Sequence, residues 1–314
     1  MTQSPIGPGH EIVVSGSISN LGPAFDALSV AVDVYLRVKV LEIGAPGSLG
    51  TPVVTPNPPA WDAARDLIIE GQVPSSGENR ITTGFLRAMA MFGDVPPAVR
   101  VHVTTDIPMK AGLGSSSAAT VAGLKLYEAL TRPRDPAVIM QLATEVEGHP
   151  DNAAAALLGG LTLSCQCEDG RILTSAWRWP DDLRFVVATP EAELETAFAR
   201  KVLAPQIDRK DAIFNLQRAL LLVRALESGR YDHLREALRD RWHQPARAQY
   251  VPGLAAALAL DHPSVLGVCL SGAGPSIAVL ATDTAAAADA LRRIYAPLGV
   301  PCTIRILAAR PPVV

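Results

Sequence analysis

The stretch Gly112-Leu113-Gly114-Ser115-Ser116-Ser117 stands between a segment of alternating apolar residues, 99–105, and an apolar segment, 119–130. The alternation predicts a strand before the glycines, and the spacing after the serines predicts a helix. Glycines let backbone N–H groups approach an oxyanion, and a helix amino terminus attracts negative charge. The stretch therefore predicts a phosphate-binding loop, with an ordinary capped turn as the alternative. It is not a Walker A loop, since no Gly-Lys-Ser/Thr follows at the required spacing.

The segment Glu147-Gly148-His149-Pro150-Asp151-Asn152 places a carboxylate, an imidazole, a second carboxylate and an amide at a predicted helix break. Mg²⁺ takes few protein oxygens, so a carboxylate here and a serine hydroxyl of the loop could share one ion. The alternative is that Asp151 or Asn152 only caps the helix that resumes at residue 153. His149 taken alone favours a structural role, because no Ser or Cys nucleophile motif accompanies it.

Three further regions carry polar groups that are not distinctive in isolation. Residues 19–26, SNLGPAFD, can present an amide and a carboxylate from one turn, although Asn, Gly and Pro all favour turns. Residues 271–276, SGAGPS, predict a glycine-rich hairpin between two strands. In the second half, Arg200 and Arg247 could each fork onto a carboxylate, but a lone surface arginine is usually only solvated.

Composition restricts the class of protein. The chain has 314 residues, with 48% hydrophobic and 19% charged residues, which excludes disorder and gives about two domains. The net charge is −3 (28 − 31), and the absence of a basic block argues against a nucleic-acid partner. Four scattered cysteines indicate a reduced, cytoplasmic protein. No signal peptide and no apolar run of about 18 residues is visible, so no membrane segment is predicted.

Strands and helices are predicted in both halves of the chain, which indicates an α+β protein of two domains. We place the boundary after residue 167, giving an N-terminal domain, 1–167, and a C-terminal domain, 168–314, with a linker over 168–184. Strands are predicted at 11–14, 34–43, 99–105, 161–167, 184–190 and 302–309, with a hairpin over 264–282. Helices are predicted at 78–93, 119–130, 135–147 and 153–158, over much of 208–260, and at 284–299, and residues 44–60 are predicted as a loop.

Taken together and in order, these segments resemble the GHMP kinase superfamily and, within it, the homoserine kinases. The superfamily carries a Pro-x-x-x-Gly-Leu-Gly-Ser-Ser loop, which is Pro108 to Ser116 here. Homoserine kinases carry segments similar to SNLGPAFD, EGHPDN, HQPAR and SGAGPS, found here at 19–26, 147–152, 243–247 and 271–276. The resemblance extends over residues 12–307, nearly the whole chain.

The resemblance implies an N-terminal domain like ribosomal protein S5 domain 2, a ferredoxin-like C-terminal domain, and an active site between them. It implies ATP-dependent, Mg²⁺-assisted phosphorylation of the side-chain hydroxyl of L-homoserine to O-phospho-L-homoserine, a step of threonine biosynthesis. Two alternatives remain open at this point. One is a GHMP-type kinase for another small alcohol, such as threonine or mevalonate; the other is a non-catalytic relative that binds nucleotide. A homodimer is expected because dimers are the commonest assembly.

The resemblance also implies roles for individual residues. Ser116 and Glu147 are expected to hold Mg²⁺. Asp26 is expected to meet the substrate ammonium group and Arg200 and Arg247 its carboxylate, with further contacts from Asn20 and Asn152. Thr196, one helical turn before Arg200, is expected near the transferred phosphoryl group, and Asp151 and Asn152 are the candidates for a catalytic role. The nucleotide is expected to contact Asn79, Pro108, Lys110, Ala111, Gly112, Leu113, Gly114, Ser115, Ser116 and Ser117.

Three positions depart from the family pattern. Ala24 stands where a glycine is usual, and its methyl group could disturb a left-handed backbone position. Residues 15–18, SGSI, differ from the usual Pro-Ala-Ser-Ser type of segment, and Lys110 occupies a loop position that often carries glycine. These departures put the fit of the substrate in question more than the fold.

Overall fold

The structure is a computed structural model that describes residues 6–50, 61–74, 78–192 and 194–313. Its first sheet has six strands in the order β3-β4-β2-β5-β6, with β1 also paired to β2. Among the described strands of this sheet, β3 and β4 pair in parallel and the other pairs are antiparallel. The strands are β1 (Glu11–Ser19), β2 (Leu28–Gly44), β3 (Leu67–Gly71), β4 (Ala98–Thr105), β5 (Leu161–Gln166) and β6 (Ile172–Trp177).

Helices cover one face of this sheet. They are α1 (Ala63–Asp66), α2 (Arg80–Phe92), α3 (Ser115–Leu130), α4 (Pro136–Glu147) and α5 (Asp151–Leu158). The central helix α3 is apolar on most of its surface, and the successive residues Val121, Ala122, Gly123 and Leu124, which point to different sides of it, are all buried. A helix that is apolar all round belongs in a core. Its amino-terminal end, with the glycine-rich loop, is thereby held at a fixed place against the sheet.

The second sheet is antiparallel, with the order β10-β7-β9-β8. Its strands are β7 (Arg184–Pro190), β8 (Val265–Leu270), β9 (Ile277–Ala281) and β10 (Cys302–Leu307). The helices of this half are α6 (Thr196–Lys201), α7 (Arg209–Ser228), α8 (Leu234–Ala237), α9 (His243–Arg247), α10 (Leu254–Leu258) and α11 (Thr284–Tyr295), and 3₁₀ turns lie at Tyr231–His233 and Ala296–Leu298.

The two halves share apolar packing. Phe185, Val187 and Leu280 of the second sheet belong to the same buried cluster as the helices over the first sheet. The other face of the second sheet packs against α11 in a separate core that includes Val186, Val279 and Leu291. The predicted α+β class is confirmed. In the part of the chain that the structure describes, no helix is both long and apolar enough to cross a bilayer.

Several sequence-based predictions need correction. Residues 172–177 form β6, which pairs with β5, so the predicted linker over 168–184 is wrong there and the first sheet continues past the boundary placed between 1–167 and 168–314. The polar side chains of this exposed edge strand hid it from a pattern based on burial. Residues 67–71 form β3, which was not predicted. Of the loop predicted over 44–60, residues 51–60 lie outside the described part of the chain.

Two helix starts also differ from expectation. Helix α3 begins at Ser115 rather than at 119, with Gly114 as its N-cap and no capping side chain, so the serines lie in the first turn instead of capping it. Helix α5 begins at Asp151, and Pro150 occupies its N-cap position. The alternative in which Asp151 or Asn152 merely caps the helix is therefore wrong, and both side chains remain available for other contacts.

Candidate functional site

The glycine-rich loop turns the chain from β4 into α3 through left-handed backbone positions. Gly112 has φ 77° and Gly114 has φ 72°, and Lys110 adopts φ 53° despite its side chain. Glycine occupies this region at no steric cost, whereas a residue with a Cβ is strained there. The loop ends at the first turn of the 16-residue helix α3, where backbone N–H groups lack intrahelical acceptors. This arrangement suits an anion.

A hairpin of the second sheet holds the loop from the other side. Ser271 Oγ donates to the carbonyl oxygen of Gly112 at 2.6 Å, and Ser276 N donates to that of Ala111 at 3.1 Å. A Cβ on Gly112 would lie only 2.4 Å from the carbonyl oxygen of Ser271. The hairpin predicted at 271–276 therefore also holds the glycine-rich loop in place.

Glu147, at the end of α4, faces the first turn of α3. Its carboxylate accepts hydrogen bonds from Ser116 Oγ at 3.1 Å, Ser117 Oγ at 2.8 Å and Thr120 Oγ1 at 2.7 Å. The two residues predicted to share a metal ion, Ser116 and Glu147, therefore lie side by side. A carboxylate and a hydroxyl are the hard oxygen donors that Mg²⁺ prefers, so these residues fit that ion.

His149 and Asp151 form a close pair beside the loop, with His149 Nδ1 at 2.6 Å from Asp151 Oδ1. Burial of the ring lowers the pKa of His149, but the hydrogen bond and charge of Asp151 outweigh it, and the net pKa is raised. Burial raises the pKa of Asp151, but the hydrogen bond and charge of His149, together with hydrogen bonds from Asn152 and Ser19, outweigh this effect and lower the pKa overall. The pair is therefore favoured in its charged form.

Asn152 is fixed by two buried serines of β1. Its Oδ1 accepts from Ser17 Oγ at 2.7 Å, and its Nδ2 donates to Ser19 Oγ at 3.1 Å. Both serines come from β1, which carries the segment that departs from the family pattern. The SGSI segment thus supplies Ser17, one of the two serine contacts that orient Asn152.

Asp26 and Arg200 come from positions 174 residues apart and form a two-pronged ion pair, with N–O distances of 2.9 and 2.6 Å. Arg247 is buried, donates from Nε to the carbonyl oxygen of Ala199 at 3.0 Å and from Nη1 to that of Gly272 at 3.1 Å. Burial, and the charge of Arg200, lower the pKa of Arg247 to about 10, so it remains charged at neutral pH. One carboxylate and two guanidiniums thus lie in a small space.

Two cavities meet at the glycine-rich loop. The small cavity, of about 170 Å³, contains the charged residues of both halves, and the large cavity, of about 690 Å³, lies between β4, α2 and the loop. Lys110, Ser115 and Ser116 line both. The small cavity also contains Asn20, Asp26, Gly112, Gly114, Ser117, Glu147, Asp151, Asn152, Thr196, Arg200 and Arg247, all of which the sequence analysis had selected.

Three predicted nucleotide contacts, Pro108, Ala111 and Leu113, line neither cavity, and a fourth, Asn79, is partly engaged elsewhere. Asn79 lines the large cavity, but its Oδ1 caps α2 by accepting from Ile81 N and Thr82 N, so that oxygen is already engaged. Ala111 and Leu113 are buried and line neither cavity. Pro108 and Ala111 border a separate cleft at the end of β7. The loop presents alternate residues to the cavities and packs the others inward.

The structure adds residues that the sequence analysis did not select. Phe25 lies in the small cavity, and its ring is within 5.3 Å of the Arg200 guanidinium carbon and 5.4 Å of that of Arg247. Gly272 and Gly274 line the same cavity. His243 lies against the Phe25 ring, with 5.2 Å between the ring centroids, and its Nδ1 lies 3.3 Å from Arg247 Nη1. Its position in the HQPAR segment, four residues before Arg247, was the available signal.

Family comparisons agree with this geometry. The model of the GHMP kinases N terminal domain matches residues 79–160, which contain the glycine-rich loop, Glu147 and Asn152. The model described as GHMP kinases C terminal matches residues 222–298, which contain Arg247 and the 271–276 hairpin.

Individual relatives match over most of the chain. A curated protein of Trichormus variabilis named homoserine kinase is 34% identical over 307 residues, covering 95% of each chain. One of the same name from Thermus thermophilus is 38% identical over 274 residues and 86% of each chain. The crystal structure of homoserine kinase from Cytophaga hutchinsonii superposes with a TM-score of 0.77 at 23% identity, covering 98% of this chain and 96% of that one.

Proposed function

This chain belongs to the GHMP kinase family, and we propose that it transfers the γ-phosphoryl group of ATP to the side-chain hydroxyl of L-homoserine, giving O-phospho-L-homoserine. The observation that carries the proposal is the meeting of two cavities at one loop. The large cavity suits a base and ribose, the loop suits phosphates, and the small cavity offers charges of both signs to a small zwitterion.

The nucleotide side of the site rests on the loop and the start of α3. Phosphoryl transfer needs positioning and neutralisation of charge more than covalent participation by the protein. Backbone N–H groups at the helix start supply partial positive charge without needing to reorganise. Lys110 lines both cavities and adds a full charge beside the phosphates.

Ser116 and Glu147 are the residues that would hold Mg²⁺, as the fit of their oxygen donors indicates. When bound, the ion neutralises charge on the phosphate oxygens. Thr120 and Ser117, which also donate to Glu147, orient its carboxylate toward the loop. The protein's own part is therefore to hold a carboxylate and a hydroxyl together at the end of the triphosphate.

The substrate side is a clamp for a zwitterion. Asp26 carries the charge that an ammonium group needs, and Arg200 and Arg247 carry those that a carboxylate needs. Fixing both ends of a four-carbon amino acid fixes the position of its hydroxyl, and such positioning contributes a large part of the rate. Asn20 Nδ2 and Arg247 Nη1 both donate to Gly272 O, which ties the two sides of the clamp together.

Thr196, Asp151 and Asn152 line the cavity between the clamp and the loop. We assign Thr196 to the transferred phosphoryl group and Asn152 to the substrate hydroxyl. Asp151 is paired with His149, so it acts by orienting the ring rather than by taking a proton itself. Cytoplasmic location and a homodimer stay predictions of the sequence.

A coupled assay of ADP release tests the proposal directly. We expect turnover with L-homoserine far above that with threonine, serine, mevalonate or shikimate, and a phosphorylated product one phosphoryl group heavier than homoserine by mass spectrometry. Mevalonate lacks the ammonium group that Asp26 would bind, so turnover with it in preference to homoserine would contradict the assignment. ADP release without any acceptor would indicate a nucleotide hydrolase instead.

A further inference from the structure

His243 is a buried histidine between the two arms of the clamp, outside the set of cavity-lining residues. It begins α9, and Arg247 ends it, so the four-residue spacing puts both side chains on one face. Its Nε2 lies 2.7 Å from the carbonyl oxygen of Gly22, and its Nδ1 lies 3.3 Å from Arg247 Nη1. We propose that His243 is a positioning residue that orients Arg247 for the substrate carboxylate.

The two ring contacts define the tautomer independently. A carbonyl oxygen only accepts, so Nε2 must carry the proton that it donates to Gly22. A guanidinium only donates, so Nδ1 must keep its lone pair and accept from Arg247. Both conditions hold only for the neutral ring protonated on Nε2. Burial, with the nearby charge of Arg247, lowers the pKa of His243, although Asp240, 3.6 Å away, acts in the opposite direction.

Asp240 does not take over the ring proton, because its carboxylate has other donors. It accepts from Asn215 Nδ2 at 2.6 Å, Trp242 N at 2.9 Å and Gln244 N at 2.6 Å. These bonds fix the turn before α9 and hence the place of His243. The ring is left with Gly22 as its acceptor and Arg247 as its donor.

For Arg247 the consequence is a fixed guanidinium plane. Nε is engaged by Ala199, and Nη1 by Gly272 and His243. Among the described residues the structure gives no protein acceptor for Nη2, and Arg247 lines the small cavity. His243 therefore holds one side of the guanidinium inward, which leaves Nη2 for the carboxylate of a ligand.

The other ring contact reaches the loop that carries Asp26. Gly22 has φ 72°, and Asn20, Leu21 and Asp26 also have positive φ without being glycine. Each such residue is strained and needs support from its surroundings. A Cβ on Gly22 would lie 2.3 Å from the carbonyl oxygen of Leu238, so this turn is packed closely on the segment before α9. One imidazole thus joins the carboxylate-binding arm to the ammonium-binding arm.

Two near-isosteric variants test this inference, which rests on the proposed function. The amide of His243→Asn overlaps Nδ1 and keeps an acceptor for Arg247, whereas His243→Gln places its amide near Nε2 and loses that acceptor. A hydrogen bond to a charged group is worth about tenfold or more in binding, so we expect His243→Gln to raise KM for homoserine about tenfold. We expect a smaller rise for His243→Asn, and KM for ATP within about twofold of the wild type in both.

If His243 only stabilised the fold, its substitution would lower Tm without raising KM for homoserine selectively over KM for ATP. Leu222→Ala removes a buried side chain of another helix, α7, and serves as the control, with lower Tm and unchanged KM for homoserine. Adding His243→Gln to Arg247→Ala should have little further effect, because the acceptor then has no guanidinium to hold. Full additivity, equal effects on both substrates, or an unchanged KM in His243→Gln would overturn the inference.

A measurement on the wild-type chain needs no variant. In ¹⁵N–¹H spectra of the histidine side chains at neutral pH we expect one neutral ring with its proton on Nε2, as the contacts of His243 with Gly22 and Arg247 require. Absence of such a ring would refute the tautomer and with it the inference. Failure of the wild type to phosphorylate homoserine would instead refute the proposed function, so the two failures are distinguishable.

Discussion

The proposed nucleotide side and the proposed substrate side of the site are built in opposite ways. The nucleotide side is a continuous segment, residues 110–117, and what it offers is mainly backbone, turned by glycines at left-handed positions. The substrate side consists of side chains, and Asp26, Arg200 and Arg247 come from three distant parts of the chain. One side depends on a local conformation, and the other depends on the docking of the two sheets.

This difference determines how sensitive each side of the site is to substitutions. A local loop tolerates changes elsewhere in the molecule but little change within itself. A clamp assembled from distant segments is sensitive to packing between them, and its members can be exchanged one at a time. Substitutions on the two sides should therefore affect different kinetic constants.

The largest effect is expected from Gly112→Ala. The new Cβ would lie 2.4 Å from the carbonyl oxygen of Ser271 and 2.7 Å from that of Gly274, so the loop and hairpin must separate. We expect kcat/KM for ATP to fall by about 100-fold, as for a displacement of about 1 Å in an active site. The measurement is steady-state kinetics with saturating homoserine.

Gly93→Ala is the matched control, because Gly93 has φ 75° but no atom within 4 Å of the position of a Cβ. It costs about 1–2 kcal/mol of stability from backbone strain alone and should leave kcat/KM for ATP unchanged. If both variants lose activity equally, the strain of the backbone rather than the contact with the hairpin explains the loss.

Next in size is Glu147→Gln. The amide keeps an acceptor oxygen for the hydroxyls of α3 but removes the negative charge, so we expect kcat to fall about 100-fold with little change in KM for homoserine. The measurement is turnover as a function of Mg²⁺ concentration. Glu145→Gln, an exposed residue of α4 paired with Arg87, is the control and should behave as the wild type. Wild-type turnover of Glu147→Gln at limiting Mg²⁺ would remove Glu147 from the metal site.

On the substrate side, Arg247→Ala is expected to raise KM for homoserine by about one to two orders of magnitude, as expected for truncation of one member of a buried charge pair. KM for ATP should stay near its wild-type value. Arg178→Ala, an exposed arginine paired with Asp181, is the control. A change in KM for ATP as large as that for homoserine would show that the two sides are not separable.

The smallest effect concerns pH and the His149–Asp151 pair. The pKa of His149 is raised in the folded state, so its contribution to stability is full below about pH 6.5, the unfolded value, and is lost as pH rises through the folded pKa. The lowered pKa of Asp151 contributes stability above its unfolded value, which is lost as pH falls through the folded one. The Tm difference between wild type and His149→Asn should therefore be largest at about pH 5–6, where His149 is charged and Asp151 is ionised. It should shrink toward alkaline pH.

A Tm difference that stays constant from acid to alkaline pH would show that His149 contributes packing but no charge. Asp151→Asn should reproduce the loss of the pH dependence, because the raised pKa of His149 comes from that carboxylate. Neither variant touches the backbone of the loop, so KM for ATP provides the internal reference for the comparison of the two sides.

The strand, glycine-rich turn and helix of the proposed nucleotide side could be predicted from the sequence because their information is local. Two glycines and three serines between a strand and a helix specify the turn whatever the rest of the chain does. The helix start was placed at 119 because the serines resemble caps, whereas Gly114 takes the N-cap position and the serines join the first turn. Asn79 was assigned to the nucleotide, but its oxygen is engaged in capping α2.

The substrate side was predicted only as a set of residues, through the resemblance. That Asp26 and Arg200 bond to each other could not be read from positions 174 residues apart. The contact of Ser271 with Gly112 was hidden for the same reason, since each segment alone is an ordinary turn. Strand β6 was missed because it lies at an exposed edge, where alternation of apolar residues is weak.

The ion pair between Asp26 and Arg200 has a consequence for which molecules can enter. Before any ligand arrives, Asp26 and Arg200 each already have an opposite charge beside them. A ligand that carries only a negative or only a positive charge would have to break this ion pair. It would leave either Asp26 or Arg200 without an opposite charge. A ligand bearing both charges replaces each partner at once, so we expect the site to select amino acids over simple alcohols.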